Sequence, residues 1–159
     1  MTKIEDALVT AKDKLPDVTP TPPGFNPEAT AADLKSRLQW GEPGLTILDV
    51  RDHDIFNECR IQGAMNMPMS RLLSMVNSIP KQRDIYVYAN TDEETAEAVN
   101  LLRQAGFERV SHLKGGLQDW VNIDGKIEGV VITPGNDAYN VMARLDAFSK
   151  EKAKEKSLR

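Results

Sequence analysis

One cysteine and two histidines are all that the 159-residue chain brings to thiol or zinc chemistry. Cys59 has no partner for an internal disulfide, which suits a reducing compartment. With only His53 and His112 beside it, the chain falls short of the four-ligand sets of structural zinc, and no metal or other cofactor is expected. Positive charge is also scarce: 20 Lys and Arg face 24 Asp and Glu, a net charge of −4. That balance lacks the basic excess with which nucleic-acid binders neutralise phosphates. No apolar run approaches the roughly 18 residues of a membrane span. The opening Met1-Thr2-Lys3-Ile4-Glu5-Asp6 has acids where a signal peptide needs apolar residues, so a cytoplasmic location is expected.

The composition otherwise supports a folded body. Hydrophobic residues make up 40% and charged residues 28%, close to a globular average. A chain of this length buries roughly two-thirds of its unfolded surface, enough to need neither metal nor disulfide.

Four stretches organise the chain. Residues 1–15 read as a short helix, with Thr2 as cap and Ile4, Leu8, Ala11 and Leu15 at helical spacing. Residues 16–25 form a linker, since Pro16, Pro20, Pro22 and Pro23 remove backbone donors and favour extended geometry. The compact domain is expected over 26–130 and a helical extension over 131–159. Within that extension Asn136 or Asp137 caps a helix whose Tyr139, Met142, Leu145 and Phe148 form one stripe. From Arg144 onward six basic residues face three acidic ones, as suits a helix end near the negative pole of its dipole or a tail docking on an acidic partner.

Inside the domain, Thr30 with Asp33 resembles a capping box and opens a helix to about Leu38. Leu45–Val50, Ile85–Tyr88 and Val110–Leu113 are short, nearly continuous apolar runs, as in strands buried on both faces. Tyr86 and Tyr88 alternate with Val87, which gives that strand two unlike faces. Between the last two runs, Ala98, Leu101, Leu102 and Ala105 mark a helix from Thr91 that Gly106 stops. Strand, helix and strand in that order make a βαβ unit, hence a parallel sheet with right-handed crossovers. Ser70–Ser78 reads as one more short helix ended by Pro80, and the stretch after Trp120 as loop with one strand at most.

Several of these residues carry a family pattern. Asp49-Val50-Arg51, Phe56 and Arg60-Ile61-Gln62-Gly63-Ala64-Met65-Asn66-Met67-Pro68 resemble the first signature of rhodanese-like domains. Gly115-Gly116-Leu117-Gln118-Asp119-Trp120 resembles the Gly-Gly-x-x-x-Trp signature near their end, and Tyr86-Val87-Tyr88 lies where they place the active-site strand. The likeness spans about residues 30–130 and implies a single α/β domain, a parallel central sheet flanked by helices, with N- and C-terminal helical extensions. It also implies structural roles for Asp49, Arg51, Gly63, Gly115, Gly116 and Trp120, with Asp49 and Arg51 fixing loops by ion pairing.

The resemblance breaks at the chemistry. In active members the loop after this strand begins with a cysteine, wraps backbone N–H groups around its sulfur and supplies an arginine further on. Here Ala89 stands at the cysteine position, Asp92 where glycine is common and Glu94 where arginine is common. Alanine has no lone pair to attack thiosulfate and nothing to carry a persulfide. The loop Ala89-Asn90-Thr91-Asp92-Glu93-Glu94-Thr95 is acidic and would repel an anionic donor. The resemblance therefore implies an inactive member, a protein-binding, scaffolding or regulatory module. Its partner would be a protein with a basic surface meeting this loop; alternatively the three acids only stabilise the helix they begin. Overall likeness to short rhodanese-like proteins of oxygenic photosynthetic organisms adds docking on a photosynthesis-related complex, peripheral to a membrane-bound or large assembly.

Two other readings stay open. Cys59 lies after the Asp49 strand, outside that loop, with Arg60 beside it to lower its pKa slightly; it reads as a partly buried or surface thiol, with sulfur transfer or redox sensing as the alternative. A vestigial pocket at the acidic loop would favour cations or neutral ligands over anions. His112 reads as a core or sheet-edge histidine and Trp120 as a core anchor.

Overall fold

A computed structural model describes residues 24–40 and 44–130. The expected helix over 1–15, most of the 16–25 linker and the extension over 131–159 lie outside the described residues. Of the linker, Phe25 is described, and its ring meets Tyr86 edge-on at 5.8 Å between centroids.

Chain order runs through Glu28–Ala29 (β1), Ala31–Gln39 (α1), Leu45–Asp49 (β2), His53–Glu58 (α2), Arg60–Ile61 (β3) and Met65–Asn66 (β4). It continues with Leu72–Met75 (α3), Asp84–Tyr88 (β5), Asp92–Gln104 (α4), Val110–Leu113 (β6), Gly116–Asn122 (α5) and Ile127–Glu128 (β7). Five strands form one sheet in the order β1-β6-β5-β2-β4, and every pairing is parallel. β3 and β7 form a separate antiparallel ribbon. The architecture is therefore the expected α/β domain, a parallel central sheet flanked by helices.

The central strands are apolar throughout because helices cover both faces. Tyr86 and Tyr88 of β5 point to one side, where Ile47, Leu113, Leu34 of α1 and Leu117 and Trp120 of α5 close around them. Ile85 and Val87 point to the other, against Leu72 of α3 and Ala98, Val99 and Leu102 of α4. The tyrosine–valine alternation thus separates two buried faces rather than a buried and a wet one.

Local chemistry sets the helix ends. Thr30 and Asp33 form a reciprocal capping box, with Asp33 N–H donating to Thr30 Oγ1 at 3.1 Å and Thr30 N–H donating to the Asp33 carboxylate at 2.9 Å. Thr91 caps α4 through its hydroxyl, which accepts from Glu94 N–H at 3.2 Å. Gly106, at φ +96°, takes the left-handed turn that ends α4.

One expected helix is not continuous. Residues 69–78 form a 3-10 turn, the single turn of α3 and a second 3-10 turn. Ser74 and Ser78 each donate a hydroxyl hydrogen bond to the carbonyl three residues back, at 2.8 and 3.0 Å. Such bonds compete with the regular backbone ladder, and Pro68 and Pro80 bracket the segment.

Candidate functional site

In an open parallel sheet, ligands meet the loops beyond the carboxyl ends of the strands. Here β2, β5 and β6 all end on the same edge, so residues 49–51, 89–95 and 112–116 become neighbours although far apart in sequence.

The end of β2 is a buried brace. Asp49 is fully buried and Arg51 nearly so. Arg51 Nε donates to both carboxylate oxygens of Asp49 at 2.9 and 3.0 Å, and Nη2 adds a third bond at 2.6 Å. The same Nη2 donates to the Cys59 carbonyl at 2.7 Å. Burial pulls the Arg51 guanidinium down, but its bonds to Asp49 outweigh this and hold it above its ordinary value. The guanidinium also lies 5.3 Å from the Tyr88 ring centre, and the Tyr88 hydroxyl accepts from Ile61 N–H at 3.2 Å. Asn66 closes the arrangement by donating to the Asp49 and Arg51 carbonyls at 3.1 and 3.0 Å. Through Arg51 the ion pair ties the end of β2 to the turn at Cys59.

Ala89 follows β5 and is 7% exposed. Its N–H donates to Thr95 Oγ1 at 3.0 Å, and the Thr95 hydroxyl donates to the Thr91 carbonyl at 2.9 Å. Buried Thr95 thereby folds the loop onto itself and engages an amide at its mouth. Asn90, Thr91, Asp92, Glu93 and Glu94 are exposed. Asp92 crosses to the next strand end: its Oδ1 accepts from Gly115 N–H at 3.1 Å and lies 3.4 Å from His112 Nε2.

The two glycines beside it have distinct reasons. Gly115, at φ +71°, would carry a Cβ only 1.9 Å from the Asp119 carboxylate. Gly116, at φ +51°, lets the turn lie against Ala89, whose carbonyl oxygen would be 3.3 Å from an added Cβ. The remaining family-motif residues lie elsewhere. Gly63, at φ +83°, donates its N–H to Glu128 of the β3–β7 ribbon at 3.1 Å. Trp120 is a core anchor, 3% exposed, with Nε1 donating to the Lys126 carbonyl at 2.8 Å.

Cys59 is fully buried between α2 and β3. Burial pushes its thiol up to about 11, against the opposing pull of Arg51 and Arg60. The thiol is fully buried rather than partly exposed, and the expected downward pull of Arg60 is present but outweighed by burial. Arg60 turns away to Glu128 at 3.3 Å and to the Phe56 ring, while the sulfur faces the Tyr88 side of the core. His112 is the residue that sequence reasoning did not bring to the loop. Among the described residues, no three His, Cys, Asp or Glu side chains converge as a metal site would need.

A frame of parallel strands with a buried Asp–Arg brace, a helix-starting loop and a double-glycine turn defines the class. The family model described as a rhodanese-like domain matches residues 30–123, and the chain belongs to that family. The crystal structure of the Alr3790 protein from Anabaena sp. is 55% identical, with a TM-score of 0.63, covering 65% of this chain and 94% of that one. A sulfurtransferase of Allochromatium vinosum is 30% identical over 93 residues, 58% of this chain and 86% of its own length. A putative sulfur carrier protein of Bacillus subtilis, YrkF, is 26% identical over 102 residues, 64% of this chain. Two curated relatives from Bacillus subtilis, YrkF among them, are matched over only 63% and 53% of their length.

Proposed function

We propose that this rhodanese-like domain performs no sulfur transfer at the loop after β5 and serves as a protein-binding, scaffolding or regulatory module. The observation that carries the reading is Ala89. It occupies the position to which the family resemblance assigns the nucleophile, and its methyl group can neither attack sulfane sulfur nor carry it. Glu93 and Glu94 project from the first turn of α4 and favour a partner with a basic surface over an anionic sulfur donor. Docking on a photosynthesis-related complex is the finer form of the proposal and rests on whole-chain likeness alone.

The names of the sulfurtransferase and sulfur-carrier relatives favour sulfur transfer as a second reading, which in this chain would run through Cys59, with redox sensing at the same thiol as its variant. Its complete burial and a thiol held mostly protonated at neutral pH weigh against that reading. A thiosulfate:cyanide and thiosulfate:thiol assay of the wild type and Cys59→Ser tests both. Absence of turnover in both proteins is expected. Turnover that vanishes in Cys59→Ser would overturn the non-catalytic reading and support the second.

A further inference from the structure

The contact between Asp92 and His112 joins two strand-end segments that share no covalent neighbourhood. Asp92 opens α4, whereas His112 is the third residue of β6 and lies opposite Glu28 of β1 and Val87 of β5. A single oxygen, Asp92 Oδ1, serves both sides: it accepts the Gly115 N–H at 3.1 Å and faces His112 Nε2 at 3.4 Å. Gly115 is the left-handed residue that starts α5, and Gly116 after it lies against the Ala89 carbonyl. Whatever holds Asp92 inward therefore holds the double-glycine turn against the loop.

We propose that His112, Asp92 and the Gly115 amide form a proton-controlled clasp between the loop after β5 and the turn after β6. With His112 protonated, an imidazolium faces the carboxylate, and the charge that draws Asp92 inward keeps its oxygen over the Gly115 amide. With His112 neutral, that attraction is lost and the amide is held by the aspartate alone. The surrounding charges modulate the clasp without replacing it. Glu28 of β1 acts on the imidazole and is itself tied to Lys114 of β6 at 2.8 Å. Lys114 also acts on Asp92, and Arg103 of α4 acts on Glu28. The clasp stands on this geometry and is independent of what the loop binds.

Amide exchange of the 15N-labelled full chain reads it directly. Between about pH 8 and about pH 5.5, the range in which histidine changes charge, the Gly115 protection factor is expected to rise roughly two- to fivefold, the scale of a solvent-screened ion pair. The Ile85 amide, which donates to the Arg109 carbonyl at the opposite edge of the sheet, reports global stability and should not follow that rise. Asp92→Asn and His112→Gln, each at an exposed or half-buried position, should abolish the difference while the Ile85 amide keeps its protection. Equal Gly115 protection at both pH values in the wild type would overturn the clasp. So would a rise shared by Ile85, or one that survives in either variant.

Discussion

Asp49 and Arg51 have left water together, and neither can be removed alone without stranding the other. Asp49→Asn leaves the Arg51 guanidinium without its counter-charge beneath Tyr88, and loss of one member of a buried pair typically costs about 3–5 kcal/mol. Urea unfolding of Asp49→Asn should show a loss of that size. A change below about 1 kcal/mol, the usual size for an exposed pair, would contradict the buried brace. Cys59 gives a prediction in pH. Its folded-state pKa is raised from 9.0 to about 11, so the fold favours the protonated thiol. The associated stability is complete below the unfolded value of 9.0 and is lost as pH climbs from there towards about 11. A shift of that size corresponds to a loss on the order of 3 kcal/mol across the window. Cys59→Ala should lack this loss in thermal melts, and native Cys59 should resist alkylation until the chain unfolds. The burial of Cys59 was legible in part: Cys59 and Ile61 alternate with Glu58, Arg60 and Gln62, a period-two pattern that points 59 and 61 inward. Charged neighbours along the chain obscured it.

At the level of elements, ends matter more than middles. Thr30→Ala removes the hydroxyl that accepts the Asp33 N–H, leaving only the backbone half of the capping box of α1, and should cost about 1 kcal/mol, read as a lower urea midpoint. Gly115→Ala forces a side chain into left-handed backbone and against Asp119, and the conformational part alone amounts to roughly 1–2 kcal/mol. Its melting temperature should fall, and by more than that of an alanine placed at Gly44, whose surroundings are open. The elements that the sequence pattern revealed are those long enough to show a period: β2, β5, β6, α1 and α4. β1, β3, β4 and β7 have two residues each, too few for any alternation; β1 and β4 are set by the longer strands β6 and β2 they pair with, and β3 and β7 by each other. α5 was hidden because it begins with two glycines, which read as loop until the turn around Ala89 shows why they are needed. His112 joins the site by topology, since adjacent parallel strands end on the same side. A histidine near the end of β6 therefore flanks the loop after β5, which follows from strand order and not from local sequence.

For the whole molecule, the acidic first turn of α4 makes partner binding, where it occurs, a question of ionic strength. Interactions between exposed charges fade over about 8–10 Å at physiological salt. A partner recovered by a tagged copy through this loop should be released as salt rises, and neutralising Asp92, Glu93 and Glu94 together should remove it at low salt as well. Retention by the neutralised protein would move the interface away from the loop. Among the described residues no helix is long and apolar enough to cross a membrane.

The brace at the end of β2 runs through Asp49, Arg51, Asn66 and the Cys59 carbonyl, and nowhere through the side chain of residue 89. The brace thus stands whatever reactive group that side chain carries, although residue 89 itself packs in the core beside Ala98 and Val99. A lineage could exchange a reactive group there for an inert one, or regain it, through a change of codon with no poorly folded intermediate. In such a family, catalysts and adaptors would diverge at nearly constant stability, and a domain that has lost its chemistry would stay available for other selection.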